Sequence, residues 1–258
     1  MKKLYFAISP CPNDTYIFGA LLKGFIDTPF EIDFILRDVE ELNKLAIKGH
    51  FDVIKVSVAM YPKVRDKYVL LSSGGAMGRG CGPIIVSIQE LDLDHLIDIK
   101  VGIPGKNTTA YLLFTKAVPD FKGEILEIKY NEIIPSLLKG DIDVGILIHE
   151  ARFTYKEYGL NLVMDLGQWW EEETDLPIPL GCILAKNDLG NKMHIKIESL
   201  IRNSIKYADN NLEKIWPFIK ENAQEMEDEV ILSHIKTFVN EFSIDIGIQG
   251  NRAIDVLL

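Results

Sequence analysis

Four short stretches gather the residues whose types and spacing could do chemistry: "SPCPNDTY" at 9–16, "DVIKVS" at 52–57, "GKNTTAY" at 105–111 and "ILIHEARFTY" at 146–155. In the last, His149 ends an apolar run and opens a polar one, which puts it at the end of a strand. An imidazole, with a reference pKa near 6.5, is largely neutral around pH 7 and can accept a proton; a structural histidine is the plainer reading. In "NTTAY", Thr108, Thr109 and Ala110 open a helix with no acidic side chain, a seat for a carboxylate or phosphate. Ordinary helix capping would account for the same threonines. In "DVIKVS", Lys55, Val56 and Ser57 stand at a strand's carboxyl end, where α/β proteins meet their ligands. In "SPCPNDTY", Asn13 or Asp14 is expected to cap the helix that follows. Asp14 would repel an anion, so its role is that cap or the acceptance of a hydroxyl.

The other histidines fall in helix or surface contexts: His50 beside Gly49, His95 in "LDHLID", and His194 and His234 among charged residues. Glu150 and Arg152 are expected to pair on the surface, with Phe153 and Tyr155 lining or covering the site. Trp169 and Trp170 read as core or as part of a hinge. No HExxH pair and no zinc-ligand cysteine spacing occurs, and the three cysteines, Cys11, Cys81 and Cys182, are far apart and odd in number. The glycine-rich "GGAMGRGCGP" at 74–83 lacks a Walker ending, so it reads as backbone that must bend or pass close to another segment. A metal is therefore not expected.

Composition narrows the partners. The 258 residues are 47% hydrophobic and 26% charged, enough for one large domain or two ordinary lobes. A formal charge of −10 argues against nucleic acid, which needs clustered Lys and Arg, but leaves room for a small anion at a local positive site. The apolar part of "MKKLYFAIS" is shorter than a secretory core, and no run is long enough to cross a bilayer. A cytoplasmic protein with a small-molecule ligand and no membrane partner is the expectation. The sequence carries no marker of oligomeric state.

These residues must be positioned by something, and the chain says how. "LYFAI", "FEIDFIL" and "FDVIKVS" alternate with the helical stretches "DTYIFGALLKG" and "VEELNKLAIKG", the latter capped by Asp38 and ended by Gly49. The order repeats in "IKVGIPG", "NTTAYLLFTKA", "GEILEIKY", "EIIPSLLKG" and "IDVGILIHE". "KGHFDV" and "KGDIDV" echo each other in the two halves. The β-α-β-α-β order predicts parallel sheets in an α/β fold of two similar lobes around a cleft, like the second type of periplasmic binding protein. The expected division is 1–92 plus 180–258 for lobe one, with C-terminal helices packed back on it, and 93–179 for lobe two.

"SPCPNDTYIFGAL", "KVS", "SGGAMGRGCGP", "GKNTTAYLL" and "LIHEARFTY" together resemble the 1,4-dihydroxy-6-naphthoate synthase family of the futalosine route to menaquinone. The resemblance covers most of the chain. It implies the bilobal fold, no cofactor or metal, and a carboxylate substrate. The implied reaction is cleavage of cyclic dehypoxanthinylfutalosine to 1,4-dihydroxy-6-naphthoate with loss of a dihydroxyacetone-type fragment. It also implies that His149 is the proton acceptor, with substrate contacts in Lys55–Ser57 and at Thr108–Thr109–Ala110. Two alternatives share the fold: a non-catalytic binding protein for small anions, and the related chorismate dehydratase. The missing metal motifs predict that turnover survives dialysis against EDTA with nothing added back; loss of turnover restored by one particular metal would contradict this.

Overall fold

A computed structural model describes residues 2–91, 99–224 and 227–258. His95 and the expected 92/93 boundary lie outside the described residues. The chain divides into two units, Met1–Gly78 with Pro179–Leu258, and Arg79–Ile178. The first begins with β1 (Lys3–Ile8), α1 (Pro12–Leu22), β2 (Glu31–Leu36), α2 (Val39–Lys48), β3 (Val53–Ser57), β4 (Tyr68–Leu70) and β5 (Ala76–Gly78). The second holds β6 (Ile84–Ser87), β7 (Lys100–Ile103), α3 (Thr109–Ala117), β8 (Glu124–Glu127), α4 (Ile133–Lys139), β9 (Val144–Leu147), α5 (Ala151–Thr154), β10 (Asn161–Asp165) and α6 (Leu166–Thr174). The chain then returns through β11 (Ile178–Lys186) to α7 (Asn191–Asn210), α8 (Leu212–Asn222), α9 (Asp228–Phe238), α10 (Glu241–Ile244) and α11 (Gly247–Leu257).

Each unit is built on one sheet, and the two sheets have the same plan. Unit 1 runs β2-β1-β3-β11-β4, with β5 also paired to β11; unit 2 runs β8-β7-β9-β6-β10. The first three strands of each are parallel, as the alternation of strand and helix requires. The expectation of wholly parallel sheets is corrected: β11 runs antiparallel to β3, and β6 antiparallel to β9. Both are apolar runs buried across the sheet, and such runs carry no sign of strand direction. Because β6 pairs in the second sheet, residues 84–87 go with unit 2, whereas the sequence reading groups them with lobe one.

The repeated "KG…DV" marks the same device twice. Gly49 and Gly140 end α2 and α4 in the left-handed conformation, with φ of 70° and 78°, which glycine adopts without strain. One residue before the final Val of the motif the chain bends, and the aspartate at that bend bonds the start of the neighbouring strand. Asp52 accepts from the Tyr5 N–H at 2.8 Å while its own N–H donates to the Tyr5 carbonyl at 2.9 Å. Asp143 does the same to Lys100, at 2.8 and 3.0 Å.

In unit 1, α1 is buried from Pro12 to Leu21, because the C-terminal helices α7, α8 and α9 cover it from the side away from the sheet. Phe6, Ile17, Phe18, Ile201, Ile215 and Ile231 form the centre of that core. In unit 2, Ile84, Val86, Ile133, Leu137 and Leu147 form a smaller one. Trp170 is buried, its indole N–H donating to the Pro177 carbonyl at 3.1 Å.

The end of the glycine-rich stretch passes close to another segment. Gly82, at φ +129°, lies against Gly167 at the start of α6: a Cβ built on Gly167 would sit 1.8 Å from the Cys81 carbonyl oxygen. Backbone meets backbone here, so no side-chain motion could relieve the clash. Gly167→Ala should therefore lower unfolding stability by about 3 kcal/mol, at the upper end of overpacking costs. Urea denaturation reads this directly, and a midpoint unchanged from wild type would refute the close approach.

Candidate active site

In unit 1 the candidate residues sit where β1 and β3 end. The helix after β1 starts differently from the expectation. Cys11 is the N-cap, with no side-chain cap bond, and Pro12 is the first helical residue. Proline suits that position because its missing N–H would have no partner there. Asn13 and Asp14 therefore lie in the first turn, not at the cap. Asp14 is 1% exposed and gathers four donors. The Ser9 hydroxyl and N–H reach Oδ2 at 2.7 and 3.3 Å, and the Asn13 amide reaches Oδ1 at 3.0 Å. The Lys55 ammonium reaches Oδ1 at 2.5 Å. Asp14 thus accepts a hydroxyl, one of its two expected roles, and also neutralises Lys55.

Among the described residues Asp14 is the partner that Lys55 Nζ finds, and it takes one of the three N–H donors of the ammonium. Gly181 on β11 makes room for the lysine stem, since a Cβ there would stand 2.8 Å from Lys55 Cε. Ser57 is held by α2: Asn43 accepts from its N–H at 2.9 Å and donates to its hydroxyl oxygen at 3.1 Å. Val56 between them is wholly buried, opposite Cys182 on β11.

In unit 2 the candidates lie beyond the ends of β7 and β9, which are parallel neighbours. Thr108 is the N-cap of α3, its hydroxyl accepting from the Tyr111 N–H at 3.2 Å and donating to the Gly105 carbonyl at 2.7 Å. That hydroxyl is committed to the turn, so an anion at this helix start would rest on the backbone of Thr109 and Ala110. Both are buried, and no acidic residue occupies the first turn of α3.

His149 follows β9 after Ile148 and has a φ of +57°. The one other non-glycine residue with positive φ among the described residues is Asp175, which simply ends α6. A left-handed side-chain-bearing residue between strand and helix costs about 1–3 kcal/mol, and such conformations cluster at functional sites. The imidazole meets the Tyr130 ring edge to face at a centroid distance of 5.0 Å.

The expected surface pair of Glu150 and Arg152 does not form. Arg152 grips Asp165 at 2.6 and 3.1 Å and donates to the Gly82 carbonyl at 3.0 Å, while Asp165 also caps α6. Glu150 is buried instead. His234, expected in a helix or surface context, lies in α9 and is fully buried, against the Phe238 ring of the same helix. Sequence reasoning missed Asp14 as the counter-ion of Lys55; an acid at a helix start next to an inward lysine was the available signal.

A family described as "Menaquinone biosynthesis" matches residues 4–258. The chain belongs to the menaquinone biosynthesis family. It is 44% identical to a Thermus thermophilus protein named 1,4-dihydroxy-6-naphtoate synthase, over 98% of this chain and 92% of that one. A Streptomyces coelicolor protein of the same name is 43% identical, over 99% of this chain and 91% of that one. Among solved structures, protein AF1704 from Archaeoglobus fulgidus superposes with a TM-score of 0.92 at 31% identity, covering 99% of this chain and 95% of that one. The Candida albicans CA3427 product, described as having the generic periplasmic binding protein fold, gives 0.70 at 13% identity, covering 100% and 90%. The fold of this family member is accordingly α/β and periplasmic-binding-protein-like.

Within this family member two cysteines are poor candidates for nucleophiles. Burial pushes the thiols of Cys81 and Cys182 up to about 12, so both stay protonated near pH 7. The buried Lys55–Asp14 pair generates a sharper expectation. Asp14→Asn leaves a buried ammonium without a counter-ion and should cost about 3–5 kcal/mol. Lys55→Met should cost less, because Asp14 keeps its bonds from Ser9 and Asn13. Adding Lys55→Met to Asp14→Asn should then recover stability in urea unfolding, whereas strictly additive losses would mean the two charges are not coupled.

Proposed function

We propose that this chain is a 1,4-dihydroxy-6-naphthoate synthase, a carbon–carbon lyase of the futalosine route to menaquinone that works in the cytoplasm. It takes cyclic dehypoxanthinylfutalosine and releases 1,4-dihydroxy-6-naphthoate and a dihydroxyacetone-type fragment. The observation that carries the reading is His149, held at φ +57° immediately beyond β9. The near full-length kinship with two proteins of that name supports it.

On this reading His149 is the base. It takes a proton from the substrate, the bond to the three-carbon fragment breaks, and the electrons left behind complete the naphthalene ring. Aromatisation supplies the driving force, so the protein needs only a positioned base and a rigid seat. The α3 start, with no acid in its first turn, suits the naphthoate carboxylate. The two remaining donors of Lys55 suit the oxygen atoms of the substrate.

The test is to incubate the purified protein with cyclic dehypoxanthinylfutalosine and follow naphthoate by absorbance and mass. Ligand binding without product would favour the binding-protein reading instead. His149→Asn keeps a polar side chain of similar size but cannot take up a proton near pH 7. Its chemical step should fall by roughly 10²–10⁴-fold while product affinity changes little. The wild-type rate should rise with pH as one group loses its proton, and the variant should lose that ionisation. Turnover within a few-fold of wild type would mean that another residue moves the proton.

A further inference from the structure

Glu150, beside the proposed base, carries an inference of its own. It is 8% exposed, and its Oε2 has no hydrogen-bond partner. A carboxylate sealed from water with an unused oxygen is costly to leave that way, so such groups call for an explanation. A ring nitrogen of His149 lies within 4.8 Å of a Glu150 carboxylate oxygen, yet neither it nor the helix supplies a bond to Oε2. Glu150 stands at the N-cap of α5, yet its side chain makes no capping bond. The nearest cation along the helix, Arg152, is spent on Asp165 and the Gly80 and Gly82 carbonyls. Two residues apart on one helix, the pair would not face each other in any case.

We infer that Glu150 is a substrate-binding residue whose free oxygen accepts a hydrogen bond from a hydroxyl of the ligand. The inference rests on the proposed function for which hydroxyl this is. His149 acts at the bond that breaks, and a carboxylate oxygen of Glu150 lies within 4.8 Å of a nitrogen of its ring, so the partner is a hydroxyl of the three-carbon fragment that departs. A carboxylate suits that task because it only accepts, and a bond from a hydroxyl to an ionised oxygen is about twice as strong as a neutral one. The substrate hydroxyl then supplies the bond that Oε2 lacks, and the fragment gives it up as it leaves.

The variant that tests this is Glu150→Met, which removes the unsatisfied acceptor and keeps the volume. Three readouts are needed. The melting temperature of the ligand-free variant should equal or exceed that of wild type, since an unpartnered buried acceptor has gone. KM for cyclic dehypoxanthinylfutalosine should rise about 10–100-fold, the loss of one hydrogen bond to a charged group. Inhibition by 1,4-dihydroxy-6-naphthoate, which lacks the fragment, should be unchanged. Glu150→Gln, which keeps the shape but not the charge, should lie between wild type and Met, and it carries the test if the Met variant does not fold. A lowered melting temperature with wild-type KM would make Glu150 structural and overturn the proposal. Equal weakening of substrate and product would overturn the assignment to the fragment. If wild-type protein turns over none of this substrate, the functional reading fails, while the melting comparison still decides whether Glu150 is an unsatisfied acceptor.

Discussion

Everything at the candidate site depends on the register between β1 and β3 in unit 1 and between β7 and β9 in unit 2, and in each unit one carboxylate bridges the pair. Asp52 closes a ring of two bonds on Tyr5, and Asp143 closes the same ring on Lys100. The strands then pair Phe6 with Val53 and Val101 with Val144. Side chains alternate along a strand, so a slip of one residue would exchange the two faces. In β3 it would turn Ile54 and Val56 toward Asp14 and Asn43, and bury Lys55 and Ser57 among apolar groups. Each carboxylate bond is worth about 1.5–3 kcal/mol, comparable to the cost of a misplaced charge. The anchoring aspartates are therefore what turns a generic parallel pair into one that delivers a lysine and a serine to a chosen place.

Much of this was legible because it is local. Asp38 caps α2 and Gly49 ends it, as the spacing of a cap, an amphipathic stretch and a glycine requires. The repeated lysine-glycine and aspartate-valine pairs marked the two equivalent turns, although their hydrogen bonds across to the first strand could not be read from them. What stayed hidden is non-local. The directions of β6 and β11 depend on which strand they meet, and "IIVS" or "PLGCILAK" would look the same in either orientation. The C-terminal α11 begins at Gly247, which is at positive φ and so reads as a break, and its burial depends on contacts with distant segments such as Met77.

The site shows the same division. His149 was visible as the residue where an apolar run gives way to a polar one. Its left-handed backbone was not, because nothing in "LIHEAR" marks a turn. Glu150 and Arg152 were misread for a geometric reason: opposite charges two apart suggest a pair, yet on a helix they point to different sides. Arg152 instead reaches an aspartate that arrives from β10, a partner no local pattern announces.

The two units also show why Lys55 and Asp14 must be understood together. Their strands are equivalent through Val53 and Val144, so the position matching Lys55 is Ile146, in the apolar strand β9. The helix that matches α1 is α3, and it has no acid in its first turn. Unit 2 thus lacks both charges, and unit 1 has both. A buried ammonium alone, or a buried carboxylate alone, would leave a charge without compensation. Keeping them as a pair lets unit 1 present oriented N–H donors with little net charge. Unit 2, free of that acid, has no carboxylate in the first turn of α3 to oppose the positive end of its helix dipole. One strand-end plan therefore carries two different settings: a neutralised lysine–aspartate pair at the strand ends of one unit, and a helix start without an acid in the other.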